Sequence, residues 1–131
     1  MNKILIIEDE KHVAELIASY LMQAGFYTTI AADGVEGLHK AIESQPDLIT
    51  LDLMLPKMAG EEVCKAIRES KNPKVKDIPI IMITAKATHV DKVVGKVIGG
   101  NAYITKPFSP AEVVTEVKKQ LKKSQERIKR S

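Results

Sequence analysis

The sequence predicts an α/β protein in which a parallel sheet is covered by helices on both faces. Short apolar runs recur along the chain, each bounded by turn-forming residues, as expected for strands buried on both sides. Between them lie longer segments whose apolar residues repeat with the period of a helix. Such alternation requires right-handed crossovers between strands, and it therefore predicts a doubly wound parallel sheet.

Five strands are expected. The third is the most informative, because its apolar run ends directly in Asp52 and the chain then turns at Pro56. A carboxylate at the carboxyl end of a buried parallel strand lies where open α/β sheets bind ligands. Taken alone, however, an acidic residue at this point more often does no more than end the strand. The predicted strands are 3–7, 27–32, 47–51, 79–83 and 102–105.

Five helices are expected, each with one apolar face. Thr88 and Asp91 have the spacing of a capping box before the fourth helix. Ser109 and Glu112 repeat that spacing before the fifth. The polar segment 71–77 is expected to be an exposed loop. The predicted buried faces are Val13, Leu16, Ile17, Tyr20 and Leu21; Val35, Leu38 and Ile42; Val63, Ala66 and Ile67; Val90, Val93, Val94, Val97 and Ile98; and Val113, Val114, Val117 and Leu121.

The chain is long enough for one domain with a single core, expected over residues 1–123. After Leu121 no core-facing residue recurs until Ile128, so residues beyond 123 are expected to fray or to extend into solvent. Residues 111–131 contain seven Lys/Arg and three Asp/Glu, and we interpret 124–131 as a basic tail or the start of a linker. A basic tail can contact nucleic acid, but a solvated helix end is favoured, and nucleic acid is not an expected partner of this domain.

Several protein classes are excluded. No apolar run approaches the roughly 20 residues that span a bilayer, and the N-terminus has no signal-peptide cleavage site. A cytoplasmic protein without a membrane partner is therefore expected. The single cysteine, Cys64, excludes an intrachain disulfide and a cysteine-based zinc cluster.

Polar side chains follow four of the five predicted strands. Because the carboxyl ends of parallel strands share one edge, Glu8, Asp9 and Asp52 are expected to meet there. Three carboxylates repel one another unless a cation lies among them, and an oxygen-only ligand set suits Mg²⁺. Thr84 and Lys106 add donors suited to an anionic group. This combination fits phosphoryl transfer to a carboxylate, with Asp52 as the nucleophile.

The sequence resembles the receiver domain of two-component response regulators over residues 3–123. The motifs that carry the resemblance are weak singly and specific jointly: Glu8-Asp9, Asp52-Leu53-Met54-Leu55-Pro56 with Gly60, Thr84-Ala85-Lys86, and Tyr103-Ile104-Thr105-Lys106-Pro107-Phe108. On pattern alone either common doubly wound strand order fits. The resemblance implies the flavodoxin-like order 2-1-3-4-5, as in chemotaxis regulators.

The resemblance also implies a chemistry. Asp52 would accept a phosphoryl group from a phosphohistidine on a sensor histidine kinase or a histidine phosphotransfer protein. Asp9, Asp52 and the backbone carbonyl of Met54 would ligate Mg²⁺, with Glu8 acting through a bound water. Lys106 would pair with the phosphoryl oxygens.

A switch is implied as well. Thr84 would move towards the phosphoryl group and Tyr103 would turn inward behind it. The bond between Lys106 and Pro107 would be cis and would aim the lysine. The fourth helix, fifth strand and fifth helix would form the surface that signals to a downstream target protein. The protein would be a signalling switch with intrinsic phosphorylation and dephosphorylation chemistry rather than a metabolic enzyme.

The sequence departs from the family at two places. Ala59 replaces a common Asp before Gly60, which should not stop the chemistry. Segment 99–103 lacks the acids that make intersubunit ion pairs in many regulators, so that mode of dimerisation is not expected. The alternatives are an inactive receiver-like scaffold and an N-terminal fragment of a DNA-binding response regulator. A dehalogenase-like phosphatase lacks support because Met54 stands where its second Asp is needed, and a flavodoxin because the first loop is acidic.

Overall fold

A computed structural model describes residues 1–130; Ser131, the last residue of the predicted tail, lies outside this range. The elements in chain order are β1 (Lys3–Ile7), α1 (Lys11–Gln23), β2 (Tyr27–Ala31), α2 (Gly34–Ser44), β3 (Leu48–Leu51), α3 (Gly60–Arg68), α4 (Pro73–Lys76), β4 (Ile80–Thr84), α5 (His89–Val97), β5 (Ala102–Thr105) and α6 (Pro110–Arg130). All strands pair in parallel in the order β2-β1-β3-β4-β5. The predicted fold class and strand order are confirmed.

The sheet is buried on both faces because successive strand residues point to opposite sides. In β1, Leu5 and Ile7 face one core, and Ile4 and Ile6 face the other. The first core is completed by residues of α2, α3 and α4, and the second by residues of α1 and α6. Within residues 1–130 no helix combines the length and apolarity needed to cross a bilayer.

The predicted loop at 71–77 contains one additional helix, which the sequence analysis missed. Asn72 caps it, since its side-chain Oδ1 accepts a hydrogen bond of 3.0 Å from the backbone N of Lys74, and Pro73 occupies the first helical turn. Val75 is buried in the core. The helix was missed because a single apolar residue in a polar stretch shows no helical periodicity. The signal available in the sequence was Asn72 followed by Pro73, a typical N-cap and first helical residue.

The predicted face of α2 is shifted by one position. In α2, Val35 and Ile42 are exposed, whereas Gly37 and Ala41 are buried. In α1 and α3 the differences are smaller: Leu16 lies at the surface, and Cys64 rather than Ala66 is fully buried. Small residues bring a helix close to a sheet, so they can form the buried face while larger residues lie at its margin.

The fourth helix of the sequence analysis, which is α5, is present, but its predicted apolar face is not buried. Its four valines were expected to be buried, but Val90, Val93, Val94 and Val97 are all exposed. Gly95 is the buried residue of this helix. The capping box of Thr88 and Asp91 is present in both directions, so the start of the helix was predicted correctly.

The last helix continues without a break from Pro110 to Arg130, and its residues 125–130 are exposed. Of the two alternatives expected for residues beyond 123, the structure shows extension into solvent rather than fraying. Its start is capped by Ser109, whose Oγ accepts a hydrogen bond of 3.2 Å from the backbone N of Glu112. Near its end, Nη2 of Arg127 donates to the backbone oxygen of Asp77 at 2.9 Å. The basic segment is therefore held against the loop that follows α4.

A second arginine ties α3 to the loops beside it. The guanidinium of Arg68 donates to the backbone oxygens of Lys76, Ile78 and Gly99 over 2.7–3.0 Å. It also donates to Oδ1 of Asn101 at 2.8 Å. Burial lowers the pKa of Arg68. The loop after α5 is therefore anchored by Arg68 from the α3 side.

Candidate functional site

The candidate site lies at the carboxyl edge of the sheet, where β1, β3, β4 and β5 end side by side. Ile7 pairs with Leu51, which places Glu8 level with Asp52 on the next strand. Thr84 pairs with Thr105, and the backbone N of Lys106 donates to the oxygen of Thr84 at 2.9 Å. The topology therefore brings together side chains that are far apart in the sequence.

Three carboxyl groups form a cluster. Glu8, Asp9 and Asp52 each place one oxygen within 4.8 Å of the others. Glu8 and Asp52 are only 2% and 4% exposed, whereas Asp9 faces solvent. Two buried carboxylates at such a distance repel each other strongly unless positive charge lies between them.

The ammonium group of Lys106 supplies part of that charge. Its Nζ lies 2.7 Å from Oδ2 of Asp52 and 2.7 Å from Oε1 of Glu8. The contact with Glu8 is an ion pair without the angles of an aligned hydrogen bond, so Oε1 of Glu8 has no aligned donor among the described residues. Lys106 precedes Pro107 through a cis peptide bond.

The pKa values reflect this crowding. Burial raises the pKa of Glu8 to about 7, although contacts with Lys106 and the backbone N of Glu10 oppose the shift. For Lys106, burial alone lowers the pKa, but the hydrogen bond and charge of Asp52, together with Glu8, outweigh it and raise the pKa. The lysine is therefore charged at neutral pH.

The donor set fits a divalent cation. Three carboxyl groups lie beside a single lysine, and Oε1 of Glu8 has an unsatisfied acceptor position. Only oxygen ligands are offered, which suits Mg²⁺ better than zinc or copper. The backbone N of Met54 donates to Oδ1 of Asp52 at 3.0 Å, so the Met54 peptide lies against the carboxylate.

Gly60 allows the loop after Asp52 to turn tightly at the site. A Cβ at position 60 would collide with the backbone oxygen of Asp52, and it would lie 2.6 Å from Cα of Leu53. The backbone N of Gly60 donates to the oxygen of Leu53 at 3.1 Å. The absent side chain therefore brings the first turn of α3 to the rim of the site.

The comparisons with known proteins identify the family of this chain. Residues 4–118 match the model of the response regulator receiver domain. The chain belongs to the response regulator receiver family. It is 46% identical over 124 residues to the alkaline phosphatase synthesis transcriptional regulatory protein PhoP of Bacillus subtilis, a match that covers 95% of this chain and 50% of PhoP. This receiver thus spans about half the length of that relative. The dehalogenase-like phosphatase and the flavodoxin are set aside.

Solved receiver structures are similar to this chain over more than nine tenths of its length. The receiver domain of Francisella response regulator 1452 gives a TM-score of 0.87 at 30% identity, covering 95% of this chain and 99% of that one. The receiver domain of the sensor histidine kinase PA1611 of Pseudomonas aeruginosa gives 0.83 at 30% identity, covering 92% and 97%. That structure is described as having a magnesium ion coordinated in the active-site cleft.

The two predicted switch residues lie next to the site. Thr84 is fully buried at the end of β4, and its Oγ1 accepts a hydrogen bond from the backbone N of Lys86 at 3.4 Å. Tyr103 is half-buried, and its hydroxyl donates to the backbone oxygen of Lys86 at 2.7 Å. Burial raises the pKa of Tyr103 to about 12. In this arrangement the hydroxyl of Tyr103 is held by the segment after β4.

Two acids lie close to lysines of the site in ways that the sequence did not predict. Glu61 forms an ion pair of 2.8 Å with Lys86, and Glu10 lies 3.9 Å from Lys106. Glu10 follows the acidic pair Glu8-Asp9, which was the available signal. Glu61 adjoins Gly60, but its partner is 25 residues away, so no local pattern predicts the pair.

Proposed function

We propose that Asp52 of this receiver accepts a phosphoryl group from a phosphohistidine donor. The observation that carries the proposal is the buried Asp52 carboxylate, held 2.7 Å from an ammonium group that also contacts Glu8. The ammonium group of Lys106 is fixed beside the buried carboxylate. It can therefore stabilise the additional negative charge that a phosphoryl group brings to the site.

The proposed reaction is a displacement at phosphorus. An oxygen of Asp52 forms a bond to phosphorus while the bond from phosphorus to the donor histidine nitrogen breaks, and the nitrogen keeps the electron pair. Lys106 stabilises the charge on the transferred group because its ammonium already lies beside the attacking carboxylate. The same site would later lose the group to water, which makes the protein a self-resetting switch.

Mg²⁺ is the proposed cofactor. Asp9, Asp52 and the carbonyl of Met54 would hold it directly, and Glu8 would do so through water. When bound, the ion would neutralise negative charge on the phosphoryl oxygens. The magnesium ion described for the similar Pseudomonas receiver supports this assignment.

The signal is proposed to leave through α5, β5 and α6, which correspond to the fourth helix, fifth strand and fifth helix of the sequence analysis. Thr84 would move to form a hydrogen bond with the phosphoryl group, and Tyr103 would change position together with Thr84. The exposed valines of α5 support the proposal, because an apolar stripe on a surface helix is typical of a surface that binds another protein.

The partners are proposed from the family. A sensor histidine kinase or a histidine phosphotransfer protein would supply the phosphoryl group, and a downstream protein would read the switch. Because PhoP is described as a transcriptional regulatory protein and is about twice as long, the same sequence could form the N-terminal part of a DNA-binding regulator. The cytoplasmic location and the division at residue 123 stay predictions.

Acetyl phosphate and Mg²⁺ test the proposal. Intact mass should show the addition of one phosphoryl group to the protein, and the addition should vanish in Asp52→Asn or without Mg²⁺. Asp77→Asn is the matched control, since Asp77 is exposed and far from the site in the fold. If the unaltered protein gains no phosphoryl group while it binds Mg²⁺ and stays folded, the inactive scaffold is the better interpretation.

A further inference from the structure

Lys86 connects three parts of the receiver at the rim of the site. Its backbone N donates to Oγ1 of Thr84, and its backbone oxygen accepts from the hydroxyl of Tyr103. Its side-chain Nζ lies 2.8 Å from Oε2 of Glu61. The residue therefore touches the proposed phosphoryl-sensing hydroxyl, the proposed readout aromatic and the first turn of α3.

Glu61 is well placed to restrain this segment. It follows Gly60, whose close contact with the backbone of Asp52 fixes the start of α3 against the site. The ion pair is partly shielded from water, since the side chains of Lys86 and Glu61 are 37% and 28% exposed. It bridges from α3 to the connection between β4 and α5.

Several negatively charged side chains compete for the ammonium group of Lys86. Its pKa is raised chiefly by the hydrogen bond to Glu61, with smaller contributions from the charges of Asp91 and Asp52. The charge of Asp52 already acts on Lys86, and a phosphoryl group on Asp52 would add further negative charge that competes with Glu61 for the ammonium group. Thr84 lies two residues before Lys86 and is hydrogen-bonded to it, so a movement of Thr84 displaces the Lys86 backbone.

We propose that Glu61 is a positioning residue that retains Lys86, and with it Thr84 and Tyr103, in the arrangement seen here. The inference rests on the proposed function, because the phosphoryl group on Asp52 is the competitor. Loss of the Glu61–Lys86 pair shifts the equilibrium towards the arrangement that receives the phosphoryl group. A substitution shifts the equilibrium between two states only when its interactions differ between them, and the proposal requires that the Glu61–Lys86 pair forms only in the arrangement seen here.

The solvent exposure of the Glu61–Lys86 pair limits how far its loss can shift the equilibrium. Ion pairs as accessible as this one change an equilibrium by at most about fivefold. Removing the Glu61 charge should therefore raise the rate of phosphorylation at low donor concentration by about two- to fivefold. The effect should decrease at high salt, since partly exposed charges are screened.

The experiment compares Glu61→Gln with Glu62→Gln. Glu62 lies in the same first turn of α3 and is exposed, so the control repeats the loss of one negative charge at the same helix end. Two measurements are made: the rate of phosphoryl addition from acetyl phosphate by intact mass, and the ¹⁹F resonance of fluorotyrosine at Tyr103, assigned with Tyr103→Phe. The resonance is recorded without any phosphoryl donor.

Glu61→Gln should accelerate phosphorylation and move the Tyr103 resonance towards its position in the phosphorylated protein, whereas Glu62→Gln should do neither. Lys86→Met should move the resonance in the same direction, and combining it with Glu61→Gln should add little. If Glu61→Gln behaves like Glu62→Gln while all proteins gain the phosphoryl group, the positioning role is wrong and the phosphoacceptor role stands. If no protein gains it, the phosphoacceptor role fails, and the resonance measured without a donor still decides whether Glu61 holds Tyr103.

Discussion

α1 and α5 have apolar residues at the same helical spacing, but α1 buries Ile17 and Leu21 whereas α5 buries none of its valines. Ile17 and Leu21 of α1 are almost completely inaccessible to solvent, whereas Val90 and Val97 of α5 are 68% and 79% exposed. An apolar periodicity shows that one side of a helix is apolar. It does not show whether that side packs against the protein's own sheet or against another molecule.

The cause of the difference is the residue that each helix presents to the sheet. α5 presents Gly95, and a Cβ there would lie 2.8 Å from Sδ of Met82 and 3.0 Å from the ring of Tyr103. Met82 and Tyr103 already fill the space that a larger helix residue would need. α5 therefore packs against the core through one small residue and leaves its valines exposed, an arrangement compatible with the proposed signalling role of this face.

The largest expected effect is the contrast between Leu21→Ala and Val97→Ala. Removing the buried Leu21 side chain should lower the free energy of unfolding by about 2–5 kcal/mol. The same truncation at the exposed Val97 should change it by about 0.5 kcal/mol or less. Urea unfolding of dilute protein measures both.

A large loss of stability in Val97→Ala would show that the stripe is covered in solution. Repeating the unfolding at several protein concentrations distinguishes the causes, since a stripe covered by a second copy gives a concentration-dependent midpoint. Val93→Ala should behave like Val97→Ala, because the two valines share the exposed side of α5.

Gly95→Ala should have the next largest effect, because two consequences of the substitution oppose each other. Alanine improves the helix propensity by up to about 1 kcal/mol. The new methyl group would press against Met82 and Tyr103, and overpacking in a core costs about 1–3 kcal/mol. We expect net destabilisation and a displaced Tyr103 resonance.

Lys96→Ala is the control for Gly95→Ala. Lys96 is the next residue of α5 and is exposed, so its replacement tests helix propensity without a contact to the core. It should leave stability and the Tyr103 signal nearly unchanged. Stabilisation by Gly95→Ala would mean that α5 moves away from the sheet easily, which would strengthen the contrast with α1.

The sequence predicted the sheet and the carboxyl edge well because both depend on local signals. The apolar runs identify the strands, and parallel pairing then brings Glu8, Asp52 and Lys106 together. The exposure of α5 was not predictable, because it depends on Met82 and Tyr103 from two other elements. The Glu61–Lys86 pair was missed for the same reason, since it joins a helix start to a distant loop.

The smallest expected effect concerns the loop that ends α5. Oδ1 of Asn101 accepts hydrogen bonds of 2.8 Å from both the backbone N of Ile80 and the guanidinium of Arg68. Asn101→Asp would retain an acceptor at this place and give Arg68 a charged partner, and hydrogen bonds to charged groups are stronger. Because position 101 is exposed, the gain in unfolding free energy should be about 0.5 kcal/mol.

Arg68 provides the control for this substitution. In an Arg68→Met background, Asn101→Asp should no longer stabilise the protein, and a double-mutant cycle by urea unfolding measures the coupling. The gain should also disappear in acid, where the new carboxylate becomes protonated. Equal stabilisation with and without Arg68 would mean that the gain comes from the hydrogen bond with the backbone N of Ile80 and not from Arg68. A positive coupling would show instead that Arg68 anchors the loop after α5 from the α3 side, so the end of this helix is fixed even though its valines are exposed.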